Sequence, residues 1–246
     1  MERTLREFIP LVRFHYMSPE DFLDKIFPLK GLLPRDLLND LLTFHITRTN
    51  VNIPPPRQLK IDSAIIQPKH IAIFAGLIDK REYTHYIPYK FNLLYCANRD
   101  GNTAAAFHAK CDNKGATIVV VKIQNSEQIV GGYNPLYWKS TGGWNATKDS
   151  FIFSFTNRNN LQTVKVGYIN DGYYDNAIYS NSNCGPRFGG GYDLFLHDNY
   201  NGNNYTWAMN NPISYSKIDV PANYTSDGNY KCFDVENYEI FQVVKK

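Results

Sequence analysis

The sequence lacks the segments that carry a chain into a membrane and the cysteine spacing of a zinc ribbon. Its four cysteines are too far apart to form a C-x-x-C pair. The start, MERTLREFIPLVRFHY, has no apolar run suited to a signal peptide, and runs such as ATIVVV are too short to cross a bilayer. We therefore expect a cytoplasmic protein with free thiols and without membrane insertion.

The sequence also has no large excess of positive or negative charge, and it lacks two common catalytic or nucleotide-binding motifs. The net charge is only +3 and acidic residues interleave with basic ones, so nucleic-acid binding is not predicted. No G-x-S-x-G nucleophile motif occurs. A phosphate-binding glycine loop opens a helix, whereas the triple glycine Gly189–Gly191 precedes the strand-like YDLFLHD. We interpret these glycines, and Gly131 and Gly132, as positions of close backbone approach or positive φ.

Aromatic residues are abundant instead, with 18 Tyr and 15 Phe in 246 residues. Their flat rings favour strands, and from residue 116 onward short apolar segments alternate with turns rich in Asn, Gly, Asp and Ser. Two helical patterns accompany them, over residues 68–80 and in AAAFHAKC, the second ending at Gly115. The predicted fold class is α+β and mainly β, an antiparallel β-sandwich with two flanking helices, preceded by a short helical segment.

That helical segment occupies the first fifty residues. The apolar spacing of Leu5–Val12 predicts one helix. A second begins with Ser18 as its N-cap and Pro19 in its first turn, and we expect it to end at Pro28. A third is predicted to begin near Pro34, with leucines along one side.

A proline-rich stretch separates the helical segment from the rest of the chain. Three consecutive prolines in RTNVNIPPPRQ forbid a helix and favour an extended strut. The predicted domain organisation is therefore helices at 1–50, a linker at 51–62 and a β domain at 63–246.

Several side chains could carry chemistry, and each has a plainer interpretation. His108 and Cys111 share a helix face, but two ligands do not make a zinc site. Asp234 and Glu236 share a strand face, which suits either paired acid–base work or a solvated surface. The segment HDNYNGNN resembles a calcium loop but offers one carboxylate, Asp198. We therefore predict neither a metal nor a cofactor.

The three tryptophans suggest a second hypothesis, in which exposed rings form a binding surface. Trp138, Trp144 and Trp207 could stack sugars on a flat sheet face, although aromatics at strand spacing usually belong to the core. A glycan-binding sandwich is therefore one hypothesis. A weak enzyme or thiol redox sensor that uses Cys96, Cys111 or the Asp234 and Glu236 pair is another.

Five stretches in register resemble a TLDc domain: YKFNLLYCANRDG, GGYNPLYWKS, TKDSFIFSF, GPRFGGGYDLFL and VENYEIFQV. The segment IDSAIIQPKH resembles the usual lead-in, in which a Ser precedes a helix. This resemblance implies a β-sandwich with two helices and no catalytic residues or cofactor. It also implies a link to oxidative-stress resistance and binding to the peripheral stalk and catalytic head of the vacuolar proton-pumping ATPase.

The matching stretches supply the candidate binding or structural residues. They are Gly132, Trp138, Asp149, Gly189, Gly190, Gly191 and Glu239. Two segments depart from the family pattern, STGGWNATKDSF and the long polar stretch that begins NNYTWAMNNP. Since partner contacts usually lie in loops, these departures affect the choice of partner.

The N-terminal segment resembles the last helices of a BACK domain, as in fungal BTB–BACK–TLDc proteins. No BTB part is present in this sequence. We therefore expect either a fragment or a shortened member, in which an upstream BTB-type dimerisation module is absent.

Overall fold

The computed structural model describes residues 9, 12, 14–47, 61–81, 87–197, 206–219, 221, 224–228 and 230–246. Contacts divide the chain into two compact units, residues 1–60 with 75–88 and residues 61–74 with 89–246. Most of the predicted helix at Leu5–Val12, residues 51–60 of the predicted linker, and Asp198 lie outside the described residues. No described helix is both long and apolar enough to cross a membrane.

The first unit is built from short helical segments. A single 3-10 turn covers Phe14–Tyr16, and α1 covers Pro19–Asp21, continuing as a wider π-helical turn over Phe22–Ile26 and a tighter 3-10 helix over Phe27–Leu32. The 13-residue α2 covers Arg35–Thr47.

Packing and capping in this unit follow the sequence pattern. Ser18 Oγ accepts a hydrogen bond from the Asp21 N–H at 3.0 Å, which confirms the predicted N-cap. The small apolar core is centred on Phe14, Phe22 and Leu41, which are buried together.

The prediction that Pro28 ends the second helix is wrong. Helical turns continue to Leu32, because Pro28 lies in the first turn of the 3-10 segment. A residue there needs no N–H for the hydrogen-bond pattern, so proline is tolerated. Proline marks a change of helix type at this point.

The second unit contains two antiparallel sheets. The strands are β1 Tyr89–Cys96, β2 Thr117–Ile123, β3 Ile129–Asn134, β4 Gly143–Asn145, β5 Phe151–Phe155, β6 Val164–Tyr168, β7 Ile178–Ser180, β8 Arg187–Phe188, β9 Leu194–His197, β10 Thr206–Met209, β11 Thr225–Asp227, β12 Tyr230–Phe233 and β13 Val235–Lys245. One sheet has the order β1-β13-β2-β3-β5-β6 and the other β11-β12-β10-β9-β8-β7-β4.

The two sheets pack face to face around one large apolar core. Alternate residues point inward, since successive strand side chains lie on opposite faces. The core draws on both sheets, with Val119, Val121, Ile152, Ile240, Ile178, Leu194, Trp207 and Phe233 among its buried members. The predicted fold class, a mainly β antiparallel sandwich with a few helices, is confirmed.

Three helices accompany the sheets. They are α3 at Pro68–Asp79, α4 at Ala97–Asp100 and α5 at Ala104–Cys111. Phe74 of α3 packs on Phe153 of the six-stranded sheet, with ring centroids 5.0 Å apart. The predicted end of α5 at Gly115 is too late. The helix ends at Cys111, and Gly115, with φ +79°, lies in the turn before β2.

Candidate functional site

The triple glycine forms the turn between β8 and β9 and leads into a strand. Gly189 has φ +84°, a conformation that favours glycine, and a Cβ there would lie 2.6 Å from the carboxyl carbon of Asp193. Gly190 does not have a positive φ and fits the other predicted reason for glycine in this cluster, close approach of a neighbouring group. A side chain at position 190 has no room, because its Cβ would lie 2.9 Å from Cβ of Asn176.

A buried carboxylate fixes this turn to the loop that follows β10. Asp193 Oδ1 accepts a hydrogen bond from the Ile213 N–H at 3.0 Å, and Oδ2 accepts from the N–H groups of Ser214 at 2.8 Å and Tyr215 at 2.7 Å. The Gly190 N–H donates to Ser214 Oγ at 2.9 Å. Burial raises the pKa of the Asp193 carboxyl, and the three N–H donors partly oppose that shift.

Phe188, immediately before the glycines, crosses the sandwich to the other sheet. A Cβ on Gly132 would lie 2.7 Å from the Phe188 ring, so Gly132 leaves the space that the ring fills. Trp138 packs edge-on against the same ring at 5.9 Å, and its Nε1 donates to Thr117 Oγ1 at 2.8 Å. The structure thus brings three predicted site residues, Gly132, Trp138 and Gly189, around Phe188.

The same glycine-containing sandwich is the part of the chain that a known family matches. The family model of the TLDc domain matches residues 59–244. The chain belongs to the TLDc family. A comparison with curated protein sequences found no match. The TLDc match covers both sheets apart from the last residue of β13.

Glu239 lies apart from the Phe188 cluster, on β13, where it contacts the start of the lead-in segment before α3. Its buried carboxylate accepts hydrogen bonds from Ser63 Oγ at 2.5 Å and the Ala64 N–H at 2.8 Å. Ser63 Oγ also accepts from the Ile66 N–H at 2.8 Å. Glu239 therefore anchors the segment that leads into α3.

Asp149 is the other predicted site residue that the structure keeps separate. It is exposed just before β5, and its backbone N–H donates to Thr147 Oγ1 at 3.2 Å. Its neighbour Ser150 is buried, donates to the Tyr133 carbonyl at 2.8 Å, and shares a hydrogen bond with Tyr215 Oη at 2.7 Å. The structural role at this position therefore belongs to Ser150.

The thiols and the histidine considered for chemistry are held in place by burial and hydrogen bonds. None of the four cysteines of the TLDc domain forms a disulfide, all four are buried, and burial raises the pKa of the Cys111 thiol. His108 Nδ1 lies 2.7 Å from Asp112 Oδ1, and Nε2 lies 2.8 Å from the Asn181 carbonyl. Both ring nitrogens are thus occupied by protein groups. Within the described ranges, no group of three or more His, Cys, Asp or Glu side chains could hold a metal ion.

The two carboxylates predicted to share a strand face lie at the surface, but Asp234 falls between β12 and β13 and only Glu236 belongs to a strand. Asp234 and Glu236 are both exposed, and the Lys122 ammonium lies 3.4 Å from Glu236 Oε2. This placement resembles the solvated strand face that the sequence also allowed.

Three loops meet at the glycine turn and present apolar side chains. We name residues 144–148, which are the end of β4 and the loop after it, together with 170–176, 189–192 and 210–215 the glycine-turn loops. The Asn170 N–H donates to the Ser214 carbonyl at 2.8 Å, and the Thr147 N–H donates to the Tyr174 carbonyl at 3.1 Å. These bonds fix loops whose exposed apolar residues are Trp144, Tyr173 and Ile213, at 37%, 43% and 50%. Trp138 and Trp207, by contrast, are core residues.

The glycine turn allows a matched test of its geometry. Gly189 and Gly172 have nearly the same φ, +84° and +85°, but a Cβ meets Asp193 at Gly189 and open space at Gly172. We expect Gly189→Ala to lower the free energy of unfolding by about 2–3 kcal/mol and Gly172→Ala by about 1 kcal/mol. Urea denaturation of both variants checks this, and equal losses would show that crowding against Asp193 costs nothing.

Proposed function

We propose that the TLDc domain of this chain is a non-enzymatic protein-interaction module. It acts in the cytoplasm, binds the vacuolar proton-pumping ATPase through the pump's peripheral stalk or catalytic head, and contributes in that way to resistance to oxidative stress. The observation that supports the proposal is the set of glycine-turn loops, in which exposed apolar side chains stand on a framework fixed by buried hydrogen bonds.

The rigidity of these loops favours binding. Three N–H groups bound to Asp193 and the Ser214 bond to Gly190 hold the loop that carries Ile213. A preformed surface loses little conformational entropy when a partner docks, which favours affinity. Exposed apolar side chains at such a surface supply the area that association buries.

The proposal is tested by binding to purified pump subcomplexes. Ile213→Ser removes half-exposed apolar surface from the glycine-turn loops, and Val244→Ser makes a similar change at the exposed end of β13. We expect the full chain to bind at micromolar concentration, Ile213→Ser to bind about ten-fold more weakly, and Val244→Ser to bind like the wild type.

Two results would count against this assignment. Absence of any complex at micromolar concentration would remove the pump as the partner. If Ile213→Ser and Val244→Ser bind equally well, the pump binds this chain at a surface other than the glycine-turn loops.

A further inference from the structure

A row of side chains crosses the outer face of the seven-stranded sheet near the glycine turn. In the strand register, Trp144 pairs with Tyr179, Tyr179 with Arg187, and Arg187 with Phe195. Their neighbours Ile178, Phe188 and Leu194 belong to the core between the sheets. Because strand side chains alternate, Arg187 lies among aromatic residues on the face directed away from that core.

The Arg187 guanidinium is surrounded by rings. Its central carbon lies 4.8 Å from the Tyr192 ring centroid, 5.2 Å from Tyr179 and 5.5 Å from Phe195. Trp144 packs on Tyr179 at 4.8 Å and extends the aromatic wall outward. Such contacts hold a guanidinium in place and reduce its hydration.

This cation has no anionic partner within the described part of the chain. Nε is buried and has no hydrogen-bond acceptor there. Of the other described arginines, Arg81, Arg99 and Arg158 each pair with a carboxylate, and Arg35 is exposed to solvent. A buried donor without an acceptor is costly, so the arrangement is poor for stability alone. Arg187 as a whole is only partly buried, so part of its side chain is open to solvent.

We propose that Arg187 is a binding site for the carboxylate of a Glu or Asp side chain in an extended segment of a partner protein. The carboxylate accepts two parallel hydrogen bonds from Nη1 and Nη2, and the rings of Trp144 and Tyr179 pack against the apolar residues beside it. Partial desolvation strengthens this attraction relative to a fully hydrated surface arginine.

The single charge selects a carboxylate over a phosphate. A carboxylate carries one negative charge and matches one guanidinium fork, whereas a phosphate group carries nearly two charges and offers three acceptor oxygens. Arg187 is the one cation whose contacts place it among these rings in the described structure. The proposal rests on the interaction function proposed above and names the chemistry of the partner.

The test is selection of a display library of random seven-residue peptides on the full chain. We expect the enriched peptides to contain Glu or Asp beside apolar residues. An enriched peptide should bind Arg187→Met at least ten-fold more weakly, and its amide analogue, with Gln for Glu, should bind the wild type equally weakly. The control Arg99→Met removes an exposed arginine that pairs with Asp100, and it should leave binding unchanged.

A second variant distinguishes loss of the binding site from misfolding of Arg187→Met. Arg187→Lys keeps the charge and most of the stem but not the planar fork, so we expect weaker binding with unchanged thermal unfolding. The proposal is overturned if no acidic peptide is enriched, if the amide analogue binds equally well, or if Arg187→Met binds like the wild type.

The pump experiment separates this site from the proposed function. Capture of pump subunits by the wild type and Arg187→Met alike, without any acidic-peptide binding, overturns the Arg187 site and leaves the interaction function standing. Acidic-peptide binding that depends on Arg187, without capture of pump subunits, supports the site and removes the pump as the partner.

Discussion

Replacement of Asp193 by alanine is expected to lower the free energy of unfolding by about 4 kcal/mol. The change leaves the N–H groups of Ile213, Ser214 and Tyr215 without their acceptor. Each unpaired buried donor costs about 1–3 kcal/mol, and relief of the buried charge offsets part of the sum. The glycine turn and the following loop would separate, so we also expect faster proteolysis there.

Urea denaturation measures this loss, with two companion variants. Asp193→Asn keeps one acceptor oxygen, so we expect a loss of about 2 kcal/mol. Asp149→Ala removes an exposed carboxylate just before β5 and should change stability by less than about 0.5 kcal/mol. A loss at Asp193→Ala no larger than that at Asp149→Ala would mean that water replaces the carboxylate and that the turn is not fixed by it.

The raised pKa of Asp193 leads us to expect that the free energy of unfolding depends on pH in one direction. Burial raises the pKa of Asp193 above its usual 3.8, so the folded state keeps the proton to higher pH than the unfolded chain does. Protonated Asp193 therefore adds to the free energy of unfolding. This contribution is complete below pH 3.8 and is lost as the pH rises through the pKa of the folded state. The stability gap between wild type and Asp193→Asn should narrow with rising pH in that window, since the amide does not titrate.

The sheets could be predicted from sequence because their signals are local. The antiparallel hairpin of β2 and β3 corresponds to two apolar runs, ATIVVVKIQ and QIVGGYN, on either side of the polar turn NSE. The alternation in β5 likewise separates Phe153, which faces α3, from Ile152, which faces the core. Helix starts were equally readable, because the Ser18 cap and Pro19 act within one turn.

The contacts that fix the candidate site could not be predicted, because their partners are distant in sequence. Asp193 binds backbone groups 20–22 residues away, and Glu239 binds Ser63 across 176 residues. Backbone N–H groups carry no sequence signal, so an acidic residue after a glycine turn looks like any polar strand entry. Which of the two predicted reasons for glycine applies at Gly190 could not be decided either, since crowding by Asn176 is a tertiary effect.

The second large effect is expected at Phe188. Its ring is fully buried between the sheets, next to Trp138 and Tyr215. Phe188→Ala removes the ring and leaves a cavity, and we expect a loss of about 3–5 kcal/mol. Gly132→Ala alone should cost about 2 kcal/mol, because its Cβ would lie 2.7 Å from the ring and force the ring to move.

The double variant decides whether these two residues act as one unit. With the ring removed, the Cβ at position 132 meets empty space, so Gly132→Ala should add less than about 0.5 kcal/mol to the loss from Phe188→Ala. Gly142→Ala is the control. The nearest atom to its Cβ would be the flexible end of the Asn181 side chain, at 3.1 Å, so it should cost little in either background. Additive losses in the double variant would contradict the close approach of β3 to Phe188. A coupling of about 1.5 kcal/mol would establish that Gly132 is glycine because Phe188 occupies its side-chain position.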